Sequence, residues 1–187
     1  YKTTNSARYK FATRIIRAAG QLAMSYFDNL SQLKIEKKGH QDLVSEADKT
    51  VEIFLREQII HQFSDDSIIG EEGGHAFGKS SGKFDYTWVI DPIDGTRSFV
   101  IGNPTWSNLI SLNYKKRPVV GLANFPVLKK YYYNTSQKSS YVVENNKRKK
   151  IFVNKNVSFS KIKMSVAFHG AISLNQQKKI PKILKLM

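Results

Sequence analysis

The 187-residue chain predicts an α+β fold, and three observations carry that prediction. Helical periodicity is confined to the segment before residue 64, and two apolar strand-like runs then end in acidic residues. The remainder is a series of short β-type runs separated by lysine, proline, serine and asparagine. Helices grouped first and strands afterwards suit a layered α+β arrangement, with the helices packed on a largely antiparallel sheet.

The helical part falls within 7–63. In "ARYKFATRIIRAAGQLAMSYFDNL", Phe11, Ile15, Leu22 and Tyr26 lie near one helical face, with Ile16, Ala19 and Ala23 alongside. "KIEKKGHQDLVSEAD" has glycine at a turn and mixed polarity, and reads as a hairpin or mobile loop. A second helix occupies "SEADKTVEIFLREQIIHQF", where Ser45 and Asp48 form a start signal and Val51, Leu55 and Ile59 an apolar stripe.

Strands follow within 67–96. "SIIGEEGG" is a short strand running into two glutamates and a glycine turn, and "YTWVI" is a second that ends at Asp91. An antiparallel meander is expected over 106–168, built from "SNLISLNY", "PVVGLANF", "KKYYYN", "SYVVE", "KIFVN" and "KMSVAFH". Its first clear turn is "KKRP". The chain ends in lysine-rich "QQKKIPKILKLM", and no internal repeat is present.

Composition narrows the function classes. With 41% hydrophobic residues the chain can bury a core, and 1–187 is expected to be one domain or most of one. There is no cysteine, which excludes disulfides and thiolate ligands. His40, His61, His75 and His169 lack zinc-ligand spacing, so any metal would be oxygen-ligated. No apolar run approaches the ~20 residues a membrane span needs, and "YKTTNSARYK" lacks the apolar core of a secretory signal. A cytoplasmic protein without a membrane partner is expected.

The net charge of +15 is uneven: of fifteen acidic residues only Glu144 follows Asp94, whereas basic residues continue, with a run at "NKRKK". A nucleic-acid-binding module is one reading of that charge. No basic helix or aromatic stacking pattern accompanies the run, so a lysine-rich solvated surface is the plainer one. The positive field would also attract small phosphorylated substrates.

Four groups of carboxylates sit at element ends: Asp48, Glu71 with Glu72, Asp91 and Asp94. Singly, each has a plain role, as a helix cap, a solvated turn or a turn former around Pro92. Together they form the donor set of a hard divalent cation, which takes carboxylates, backbone carbonyls, water and substrate phosphate. Asp91 and Asp94 can point to a common centre across the Pro92 kink, which can also turn the Ile93 carbonyl inward. Gly95 permits close backbone approach, and Gly95 and Thr96 offer free N–H groups if a helix starts there.

"GEE" followed by "WVIDPIDGT", with "LVSEAD" upstream, resembles the inositol monophosphatase family of the lithium-sensitive, magnesium-dependent phosphatase superfamily. The resemblance runs from about Ala7 to Pro126. It implies the layered α/β sandwich of the sugar-phosphatase type. It also implies that Glu71, Asp91 and the Ile93 carbonyl hold a first Mg2+. Asp91 and Asp94 would contribute to a second, with Glu71 touching a weaker third. Asp48 and Thr96 would orient and deprotonate the attacking water, and the Gly95 and Thr96 N–H groups would hold the phosphate. The implied reaction is hydrolysis of a small phosphorylated metabolite by metal-activated water, in what is usually a homodimer.

"TRSFVIGNPTWSNLISL" and "PVVGLANFPVLKKYYY" look more like the histidinol-phosphatase-type branch. Inositol-phosphate members more often read threonine-asparagine where this chain has Arg97-Ser98. Histidinol phosphate is therefore expected ahead of inositol 1-phosphate.

Two departures from the family pattern shape the expectation. Members continue into a further α/β portion with a last metal-binding aspartate, and no aspartate follows Asp94 here. The glycine-rich strand-turn after the meander is replaced by "NTSQKSSYVVENNKRKK", without glycine. A chain lacking the C-terminal α/β layer is expected to keep the first metal site with weak or no turnover. An inactive remnant that binds metal and phosphate is the alternative.

Overall fold

In the computed structural model, which describes residues 7–39, 42–78 and 86–153, two long helices pack on an eight-stranded sheet. Helix α1 (Ala7–Phe27) buries Phe11, Ala12, Ile15, Ile16, Ala19 and Ala23. The stripe is therefore centred on its smaller residues, which let the helix approach the sheet, while Leu22 and Tyr26 lie at its half-buried edge. Helix α2 (Glu46–Gln62) buries Val51, Leu55 and Ile59, the stripe expected of it. Between them β1 (Ile35–Gly39) and β2 (Asp42–Ser45) form a separate antiparallel hairpin.

The main sheet runs β4-β3-β5-β6-β7-β8-β9-β10. Its strands are β3 (Ser67–Gly70), β4 (Gly74–Ala76), β5 (Tyr86–Asp94), β6 (Ser107–Tyr114), β7 (Arg117–Phe125), β8 (Lys130–Ser136), β9 (Ser139–Glu144) and β10 (Lys147–Ile151). β3 and β5 pair in parallel, and every other neighbouring pair is antiparallel. Short helix α3 (Thr96–Val100) follows β5.

The meander is closed by tight turns whose backbone matches the strand twist. Lys115 and Lys116 join β6 to β7 with φ of 50° and 63°, and Asn145 and Asn146 join β9 to β10 with φ of 50° and 59°. Both are two-residue turns with left-handed backbone, the type whose twist suits a hairpin. Asparagine adopts that conformation readily, so the glycine-free segment folds without a glycine.

Three boundaries differ from expectation. The last described strand begins at Lys147, not in "KIFVN", so the basic run is itself the outer strand. Lysines on such an edge oppose pairing with another chain. β4 forms where a plain glycine turn was expected, and β5 continues beyond Asp91 to Asp94. The expected strand "KMSVAFH" lies outside the described residues. None of the described helices is long and apolar enough to cross a membrane.

The core centres on Trp88, fully buried against Phe11 and Phe63 at ring-centroid distances of 5.8 and 5.9 Å. Its indole N–H donates to Asp66 Oδ2 at 2.8 Å. Arg8 donates to both Asp66 oxygens, at 2.7 and 2.8 Å, and lies over the Phe63 and Tyr86 rings. This group ties the start of α1 to β5. Removing one member of a buried, hydrogen-bonded charge pair leaves the other uncompensated. Asp66→Ala is expected to lower unfolding free energy by about 3 kcal/mol in urea titrations. A loss below about 1 kcal/mol would place the pair with exposed ion pairs.

Candidate metal centre

The site is built where β3 and β5, parallel neighbours, end against the start of α2. Along an unbroken strand, residues three apart face opposite sides. In β5 the register with β6 passes from Asp91 opposite Leu109 to Asp94 opposite Ser107, three residues against two. That bulge at Pro92–Ile93 restores the parity of the two aspartates. Proline has no N–H to contribute to the ladder, which favours a bulge there. The Pro92 carbonyl accepts a 2.6 Å hydrogen bond from the buried Asn108 amide. Asn124 Nδ2 lies 3.3 Å from Asn108 Oδ1 and 3.4 Å from the Ile16 carbonyl, so α1 also supports the bulge.

Gly95 ends the bulge with φ of 91°, a left-handed conformation costly for other residues. A Cβ there would also lie 3.3 Å from the Thr105 carbonyl. The turn leads into α3, where the Phe99 N–H donates to the Gly95 carbonyl at 3.0 Å.

Asp48 joins this loop to α2. It is 1% exposed and completes a capping box: its Oδ2 accepts from the Ser45 N–H at 2.8 Å and from the Ser45 hydroxyl. Its Oδ1 accepts from the Thr96 hydroxyl at 2.9 Å, and the same hydroxyl lies 3.2 Å from the Ile93 carbonyl. Asp48, distant in sequence from Ile93 and Thr96, thus meets them in one contact group.

Among the described residues, two buried polar side-chain atoms lack a hydrogen-bond partner, Asp91 Oδ1 and Trp106 Nε1. An orphaned carboxylate oxygen is the more telling of the two, because it is the atom a cation would satisfy. Burial pushes the Asp91 carboxyl up to about 8, with further upward pressure from the charges of Glu71, Asp94 and Asp48 and a hydrogen bond with Glu71. Glu71, Asp94 and Asp48 therefore all act electrostatically on Asp91. Among the described residues no three of them close into a ligand cage. Glu71 and Asp94 are exposed, and Asp94 Oδ2 lies 3.4 Å from the buried Ser107 hydroxyl. An orphaned buried oxygen on a carboxyl crowded by three others suits a hard divalent cation.

Asp91 also borders an open groove of about 540 Å³, lined by Val89, Leu109, Ala123 and Tyr132 among others. Sequence reasoning missed Asn108, Ser107 and Glu52. Glu52 is a buried acid that binds the turn after β3, and its spacing from Arg56 was the only local signal.

A family model described as the inositol monophosphatase family matches residues 4–187. The chain is 37% identical over 134 residues to a fructose-1,6-bisphosphatase/inositol-1-monophosphatase of Aquifex aeolicus, covering 72% of this chain and 48% of that one. It is 43% identical over 115 residues to a histidinol-phosphatase of Streptomyces coelicolor, covering 59% and 41% respectively. A solved Thermotoga maritima IMPase superposes with a TM-score of 0.68 at 29% identity, over 81% of this chain and 55% of that one. The chain spans about half the length of the relatives it matches.

The raised Asp91 value has a sign that can be tested. Because the folded value lies above the unfolded one, ionising Asp91 opposes folding. That penalty is absent below about 3.8 and complete once the pH passes about 8. With chelator present, Asp91→Asn is expected to stabilise the fold increasingly over that range, read by denaturant titration at several pH values. A variant less stable than the parent at pH 8.5 would contradict the assignment.

Proposed function

The chain belongs to the inositol monophosphatase family, and from that premise we propose that it carries the carboxylate centre of a magnesium-dependent phosphomonoesterase. The observation behind this reading is the buried, partnerless Asp91 oxygen beside Glu71, Asp94 and Asp48, with Thr96 bonded to Asp48.

Glu71, Asp91, Asp94 and the Ile93 carbonyl are the groups that would hold Mg2+. When bound, Mg2+ neutralises phosphate charge and acidifies water. The protein's own part begins at Thr96. Its hydroxyl has one proton, directed at Asp48 Oδ1 across 2.9 Å, which leaves its lone pairs free to accept from a water. As that water attacks phosphorus, its proton passes to Thr96 Oγ and the Thr96 proton passes to Asp48. The phosphorus–oxygen ester bond breaks, the alcohol leaves with a proton from solvent, and inorganic phosphate remains. The Ser45 N–H and hydroxyl hold Asp48 Oδ2 throughout, so the carboxylate does not rotate away. Gly95 and Thr96 N–H groups take the phosphate oxygens in this reading.

Histidinol phosphate is the favoured substrate. The similarity to a histidinol-phosphatase and Arg97-Ser98 after the glycine turn support it. Inositol 1-phosphate is the alternative, supported by the Aquifex relative. Asp91 and Asp94 are the side chains among these residues that would contribute to a second cation.

Phosphate release from histidinol phosphate and inositol 1-phosphate, with Mg2+ and with EDTA, tests the reading. Release, faster for histidinol phosphate, is expected to vanish with EDTA and in Asp91→Asn. Thr96→Ala should lower it by about 100-fold, the scale of a lost proton-transfer group. Thermal stabilisation by Mg2+ plus phosphate without release would identify a binding remnant, and release indifferent to EDTA would sink the metal reading.

A further inference from the structure

Asp48, Glu52 and Arg56 follow one another at successive turns of α2, so they form a polar row beside its apolar stripe. Asp48 belongs to the site already described, but Glu52 and Arg56 do not. Glu52 is 2% exposed, and a carboxylate so buried requires partners. It has three. Arg56 Nε and the Gly73 N–H both donate to Oε1 at 2.7 Å, and the Glu72 N–H donates to Oε2 at 2.8 Å. Arg56 Nη2 donates in turn to the Gly74 carbonyl at 2.5 Å.

The helix therefore grips the backbone immediately after Glu71 at three consecutive residues. Room for the grip comes from glycine. A Cβ on Gly73 would lie 2.8 Å from Glu52 Oε1, and one on Gly70 would strike both the Glu52 carboxylate and the Arg56 guanidinium. Those side-chain ends are engaged in hydrogen bonds and cannot yield without releasing the turn. Glu71 itself is exposed, sits between the two glycines and faces like charge. An ungripped turn of that composition would swing its carboxylate away from the other acids.

We propose that Glu52 and Arg56 are positioning residues. By holding the backbone at Glu72, Gly73 and Gly74, they keep Glu71 beside Asp91 and so set the affinity of the centre for a divalent cation. The grip stands on hydrogen bonds alone, while its effect on affinity rests on the metal reading given above. Asp48 and Glu52, one turn apart, make α2 the common support of the Thr96 loop and the Glu71 turn.

Amide hydrogen exchange on chelator-treated protein reads the grip without any cation. Glu52→Gln keeps shape but loses charge, and exchange at Glu72 and Gly73 is expected to accelerate while the β5 amides stay protected. Unchanged exchange there overturns the grip. Calorimetric titration with Mg2+ or Mn2+ reads the consequence. Glu52→Gln is expected to weaken binding by about 10- to 100-fold, the usual effect of losing a group that orients a ligand. In a Glu71→Gln background the same change should add little, because the positioned charge is gone. Gly73→Ala, which crowds Glu52 while leaving α2 intact, should reproduce both signatures if Glu52→Gln folds poorly. Unchanged affinity, or a loss that adds in full to that of Glu71→Gln, overturns the positioning role. If the parent chain binds neither cation, the metal reading and the effect on affinity both fall, and the exchange data alone decide the grip.

Discussion

Like charges held close together need a scaffold that prevents them from separating, and this constraint organises the described residues. Asp91 is raised to about 8 by burial and by Glu71, Asp94 and Asp48. Each of those neighbours is attached to a different element. Asp48 is locked into the cap of α2, Asp94 follows the bulge of β5, and Glu71 rides on the turn after β3. The fold reads as a means of joining these three attachments rigidly enough to withstand their repulsion.

Helix α2 provides most of that rigidity. Its apolar stripe is fully buried, so the helix cannot rotate without exposing Val51, Leu55 and Ile59. Its polar row is thereby fixed in direction, toward the Thr96 loop at one turn and the Glu71 turn at the next. Helix α1 acts less directly, through the amides of Asn124 and Asn108 to the Pro92 carbonyl. The Arg8–Asp66–Trp88 group anchors the opposite end of β5. A strand held at both ends can carry a bulge at a defined place.

The far side of the sheet is built on different principles. β8, β9 and β10 complete the sheet, line with Asp91 the groove on its face, and finish in an edge of lysine and arginine. Arg148 lies 3.7 Å over the Tyr141 ring, so part of this charge is spent covering aromatic surface. Positive charge here and negative charge at the β3–β5 end make the molecule strongly polar along its sheet.

What the residues decided alone was mostly what acts over short range. Ser45 and Asp48 announced the α2 cap because both halves of a capping box lie within one turn, and Val51, Leu55 and Ile59 announced its buried face. "DPIDGT" announced a carboxylate-bearing bend because proline and glycine act on their own backbone. Tertiary structure decided what depends on distant partners. Glu52 carries only its spacing from Arg56 as a local mark, since the N–H groups it binds lie twenty and twenty-one residues away. The same holds for Asn108 beneath Pro92 and Asp66 beneath Trp88. The strand β10 was hidden because four basic residues resemble a solvated loop until a neighbouring strand pairs with them. Asp48 shows both sides: its cap was legible in four residues, but its bond to Thr96 exists only because the sheet brings position 96 back to the start of the helix.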